Sequence, residues 1–137
     1  MARFMAWHVE YFRAEPKGSG RSSLIDEGRP VSSGESILVF ISFEKKDVAR
    51  KVNVVDSIVR ELSSMSAAIG VRSIVLNPFA HLFGDLANPQ DAMSMLTMLE
   101  KQLLDRNFSV QRLSFGIFYE IELKAKGHKL SRMSREV

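Results

Sequence analysis

The sequence predicts an α/β fold with mixed sheets and two main helices, in a single domain over residues 1–137. Three observations predict it. Two segments, Val52–Met65 and Ala92–Leu103, repeat apolar residues at spacings of three and four, as one buried helix face does. Short apolar or alternating runs lie before, between and after them, as strands do. A 45% apolar composition supplies enough side chains for a packed core.

Residues 3–13 carry Phe4, Trp7, Val9, Tyr11 and Phe12 in loose alternation and read as a first strand. Residues 14–36 then change character. Pro16, Gly18, Gly20, Gly28, Pro30 and Gly34 predict a long loop, with a partial hairpin at Ser23–Ile25. Loops of this length are usually functional or mobile. Ser36–Phe43 is almost continuously apolar, which predicts a central strand. The first helix carries Val52, Val55, Ile58, Val59, Leu62 and Met65 on one face and ends near Gly70. Residues 72–77 form a third strand. Asn88 then caps a second helix, with Pro89 in the first turn and Asp91 placed for a capping-box-like exchange. Ala92, Met95, Leu96, Leu99 and Leu103 are its buried face, Met93, Met95 and Met98 are core filler, and Asn107 is a left-handed stop. Phe108–Leu113 and Phe118–Leu123 alternate around Gly116 and predict an antiparallel pair.

Composition narrows the function. No cysteine is present, so thiol nucleophiles and thiolate metal sites are excluded. There is no Walker loop, no Gly-x-Gly-x-x-Gly and no Gly-x-Ser-x-Gly. His8, His81 and His128 lie far apart in sequence without the paired spacing of a zinc site, and neither metal nor cofactor is expected. Glu120 and Glu122 alternate with apolar residues and are expected to face solvent. No run reaches the length of a membrane span and no signal peptide is convincing, so no membrane partner and a cytoplasmic location are expected. Net charge is +3. Lys124, Lys126, Lys129, Arg132 and Arg135 concentrate near the C-terminus, in a basic segment over residues 124–137. Two readings of it stay open, a solvated, poorly ordered tail and a phosphate-contacting stripe.

Pro78-Phe79-Ala80-His81 follows the third strand, where strand ends open onto crevices. His81 is the first candidate for a polar group that orients a ligand or a water, and Ala80 beside it leaves room for a small guest. Tyr119, just after the Phe115-Gly116 turn, is the second.

Asn77-Pro-Phe-Ala-His-Leu82, Asp85-Leu-Ala-Asn-Pro89, Ser114-Phe-Gly116, Lys126-Gly-His128 and Ile41-Ser-Phe-Glu-Lys45 together resemble the archaeal threonyl-tRNA synthetase N-terminal editing domain. The blocks occur in the same order over nearly the whole chain. The resemblance implies a D-aminoacyl-tRNA deacylase-like fold, a homodimer, and work in cis or in trans with a threonyl-tRNA synthetase catalytic region. It implies hydrolysis of L-serine from mischarged seryl-tRNA(Thr), with L-threonine excluded sterically. Serine lacks one methyl of threonine, and a methyl is worth only about 1–3 kcal/mol in a binding site, so a second, smaller site is needed. Ala80 and walls from Pro78, Phe79, His81 and Phe118 are expected to do the crowding, and by similarity Phe43 packs against the terminal adenosine. Tyr119 stands where relatives often carry a lysine, and Arg132 where they carry a glutamate. Those replacements favour chemistry assisted by the terminal ribose 2′-hydroxyl, with His81 and Tyr119 in orienting roles and Lys124, Lys126, Lys129, Arg132 and Arg135 in tRNA contact. The alternatives are a non-catalytic tRNA-binding appendage and a D-aminoacyl-tRNA deacylase, although the Ser-Gln-Phe-Thr and Gly-Pro-x-Thr patterns of the latter are missing.

Overall fold

A computed structural model describes residues 2–19, 28–79 and 85–137. Its elements are β1 (Arg3–Ser19), β2 (Val31–Ser33), β3 (Ser36–Ser42), α1 (Lys51–Ile69), β4 (Ser73–Pro78), α2 (Pro89–Asp105), β5 (Ser109–Arg112), β6 (Ile117–Ala125) and β7 (Arg132–Glu136). A 3₁₀ turn, Lys45–Arg50, leads into α1. The fold is mixed α/β with two main helices, as the periodicity predicts.

The strands form one sheet in the order β2-β1-β3-β4-β5, with β6 and β7 also paired to β1. β3, β4 and β5 run parallel, and α1 and α2 are their crossovers. The middle of β3 and β4 is apolar on both faces. Ile37, Val39, Ile41, Ile74 and Leu76 enter a core shared with Val55, Ile58 and Leu62 of α1 and Met95, Leu96 and Leu99 of α2. Leu38 and Val75 point the other way, into a second core with Val9, Phe12, Ala14, Val31 and Leu113. β1 reaches that second face because it is long and bulged. Its register with β6 shifts between Val9 and Tyr11 and again between Pro16 and Gly18. Bulges bend a strand and sharpen its twist, so the far half of β1 carries β6 over the sheet.

Three expectations are corrected by these pairings. Residues 14–36 are not all loop, because 14–19 continue β1 against β6 and 31–33 pair with β1 as β2. The hairpin expected at Ser23–Ile25 lies outside the described residues. Phe108–Leu113 and Phe118–Leu123 do not pair with one another. β5 joins β4 in parallel and β6 joins β1 antiparallel, with Gly116 at φ 78° turning the chain between them. Nor is the basic C-terminal segment a poorly ordered tail, since β7 pairs with β1 from Arg3 to Trp7.

Two of the histidines meet in space. His8 and His128 are far apart in sequence, yet His8 Nδ1 lies 2.8 Å from His128 Nε2, and His8 Nε2 lies 2.7 Å from Glu35 Oε2. The Leu130 N–H donates to His128 Nδ1 at 3.2 Å, which makes that nitrogen an acceptor. The tautomers follow from this: His128 Nε2–H donates to His8, and His8 Nε2–H donates to Glu35. Lys126 Nζ, 3.2 Å away, completes the carboxylate's partners. The hydrogen bond from His8 and the neighbouring lysine together hold the Glu35 carboxyl below its ordinary range.

Candidate functional site

Parallel strands leave a crevice where their C-terminal ends stop. Here it is a cavity of about 560 Å³. The ends of β3 and β4 supply Phe40, Ser42, Phe43, Asn77, Pro78 and Phe79. The first turns of α2 close one side with Pro89, Ala92 and Leu96, and the segment joining β5 to β6 closes another. That size lies within the range of about 300–1,000 Å³ usual for small-molecule sites.

Each wall has a local cause. The Phe79 N–H donates to Ile41 O at 2.9 Å, and the Ser42 hydroxyl donates to the Phe79 carbonyl, so the chain leaving β4 stays locked to β3. The Ala87 N–H donates to Phe43 O at 2.9 Å, which draws the segment before α2 over the cavity edge. Asn88 Oδ1 accepts the Asp91 N–H at 2.9 Å, the cap the sequence predicts, while the return contact is from side chain to side chain, Asn88 Nδ2 donating to Asp91 Oδ2 at 2.8 Å in place of the backbone N–H of a capping box. Tyr119 bridges two loops. Its hydroxyl accepts from the Ser114 N–H at 2.9 Å and donates to Arg29 O at 3.1 Å. A hydroxyl committed to two backbone groups positions the walls rather than exchanging protons with a ligand.

The structure brings Phe43, Pro78, Phe79, Phe118 and Tyr119 to this one cavity. Ala80 and His81 lie outside the described residues. Phe43 is buried, its ring part of the helix-side core. Phe118, at the cavity, is 65% exposed and is the aromatic ring left open to solvent there. Glu120 and Glu122 face solvent, with Glu122 paired to Arg13 at 3.2 Å.

The five basic residues lie elsewhere. Lys124 sits at the opposite end of β6 from Phe118 and pairs with Glu10 at 3.1 Å. Lys126 is held by Glu35, Arg135 pairs with Glu61 at 3.3 Å, and the Arg132 guanidinium lies 5.4 Å from the Trp7 ring centroid. Lys129 is exposed. Lining residues that the sequence reading missed include Phe40, Asn77, Leu113 and Ser114. Asn77 and Ser114 open two of the motif blocks quoted above, and for Phe40 and Leu113 the signal was position alone, near or just past the C-terminal ends of parallel strands. No group of three His, Asp or Glu among the described residues is placed to hold a metal ion. No described helix is long and apolar enough to cross a membrane.

Residues 2–137 match the model of the archaea-specific editing domain of threonyl-tRNA synthetase. The chain belongs to this family. It is therefore an editing domain, and its class of activity is aminoacyl-tRNA deacylation. The threonine–tRNA ligase of Methanosphaera stadtmanae is 32% identical over 98% of the chain, and that of Thermococcus kodakarensis is 32% identical over 98%. The chain spans about 22% of the length of either relative. Two solved structures share the editing-domain fold at low identity. A c-Myc DNA unwinding element binding protein superposes with TM-score 0.66 at 12% identity, covering 98% of both chains. A probable eukaryotic D-amino acid tRNA deacylase superposes with TM-score 0.63 at 11% identity, covering 99% of both.

Proposed function

We propose that this editing domain removes L-serine from mischarged seryl-tRNA(Thr). The observation that carries the reading is the cavity itself, whose described lining residues include no Asp, Glu, Lys, Arg or His. A ligand held there is positioned by shape and by backbone groups, which suits rejection of one extra methyl better than it suits acid–base chemistry by side chains. Water attacks the ester carbonyl carbon, the bond to the ribose oxygen breaks, and that oxygen takes the proton. The neighbouring ribose 2′-hydroxyl helps to place or activate the water. Pro78, Phe79 and Phe118 line the cavity, which supports their part in the steric wall. Ala80 and His81 complete it in the sequence reading, with His81 orienting the ligand or the water. The enzyme acts as a homodimer, in cis or in trans with a threonyl-tRNA synthetase catalytic region, and the basic residues from Lys124 to Arg135 contact tRNA.

A deacylation assay with L-seryl, L-threonyl and D-aminoacyl esters on the same tRNA tests this. Rapid release of L-serine with the other two esters intact is expected. Release of the D-amino acid alone would favour chiral proofreading. Salt-sensitive tRNA binding with no ester cleaved would leave a binding appendage.

A further inference from the structure

Asn77 is the one polar member of a row of side chains that is otherwise apolar. It is the second-last residue of β4, with Phe40 of β3 as its register partner. On its other side the β4–β5 register pairs Leu76 with Arg112, which sets Leu113 beside Asn77. Strand alternation puts Asn77 on the face of Val75, the second core, where Phe40 and Leu113 also pack. All three line the cavity. Asn77 is only 6% exposed. Its side-chain amide has no hydrogen-bond partner among the described residues. The amide atoms are not among the side-chain polar atoms sealed from solvent without a partner; they open onto the cavity, where a ligand group can take the contact that water otherwise makes.

On the reading given under Proposed function, we infer that Asn77 recognises the side-chain hydroxyl of the aminoacyl group. The chemistry selects that group. An amide offers one donor and one acceptor function, and a hydroxyl is the neutral group that matches both. The ligand's ammonium is a poorer match, since a buried cation needs a carboxylate and the described lining has none. Asn77 therefore sets a second limit on the substrate. The steric wall excludes what is larger than serine, and the amide rejects a side chain that lacks oxygen. An unmet amide discriminates against the missing hydroxyl more strongly than a pocket discriminates by size.

The test is hydrolysis of L-seryl and L-alanyl esters on one tRNA by the wild-type chain and by Asn77→Leu, which keeps the shape and removes the polarity. The wild type is expected to favour seryl over alanyl in kcat/KM by about tenfold or more, and Asn77→Leu is expected to bring the two within about threefold. An unchanged preference in a folded Asn77→Leu protein overturns the inference. A measurement on the wild type alone covers a variant that does not fold: non-hydrolysable seryl- and alanyl-adenosine analogues should differ in affinity by about tenfold, and equal affinity overturns the inference. Cleavage of seryl ester with no preference over alanyl sinks the role of Asn77 alone. Cleavage of neither ester sinks the reading of the site as well.

Discussion

Tyr119 lines the cavity with its hydroxyl already engaged by two backbone groups. Its position beside the Phe115-Gly116 turn suggests a hydroxyl offered to a ligand, but the two backbone contacts use that hydroxyl to hold residues 29 and 114 together. Tyr119→Phe should thus cost about 1 kcal/mol of stability, read as a lowered Tm, and slow seryl release by less than tenfold. Replacing the terminal ribose 2′-hydroxyl with hydrogen should slow release far more, and equal effects would argue against substrate assistance. Glu35 behaves differently. Its carboxyl is held low by the His8 hydrogen bond and by Lys126, so folding favours the charged form. The stabilisation is present above the ordinary carboxylate pKa and is lost as pH falls through the lower value in the fold. Glu35→Gln should therefore lower Tm at neutral pH, and the difference from wild type should vanish in acid. A constant difference across a pH series of melts would refute the link. None of the three residues His8, Glu35 and His128 announces the others in sequence, because β1 and the ends of β3 and β6 bring them together.

Elements whose signals are local were legible. The Asn88 cap, the Pro89 first turn and the left-handed Asn107 (φ 68°) and Gly70 (φ 72°) bound two helices that the apolar spacing had already placed. Capping is a matter of a few neighbouring backbone groups, so short sequence windows contain it. The cap also bears on the site, since Pro89, Ala92 and Leu96 line the cavity. Asn88→Ala should cost about 1 kcal/mol and raise KM for the seryl ester, while Asn88→Ser, which keeps a cap oxygen without setting a second carboxylate against Asp91, should recover most of both. Elements whose partners are distant were misread. The Pro- and Gly-bearing end of β1 looks like loop until β6, about a hundred residues later, supplies its hydrogen bonds.

At the scale of the molecule, two cores share one sheet, and the strands that separate them are buried on both sides. Neither core can be lost without exposing the other's strands, so unfolding should be a single transition. Trp7 reports on β1, its ring edge-on to Phe40 at 5.3 Å. Its fluorescence and the far-UV circular dichroism should give coincident melting curves, and separated midpoints would show that the second core opens by itself. The sequence by itself determined the α/β class, both helices with the end of the first and both ends of the second, the central apolar strand and the Pro78 end of the strand after it, because spacing and capping act over a few residues. Only the tertiary structure decided that β6 belongs to β1 rather than β5, that the basic segment becomes a paired edge strand, that His8 meets His128, and that Asn77 lines the cavity. Those outcomes depend on which backbone groups and side chains a bulged seventeen-residue strand carries to a distant face, and no local pattern encodes that.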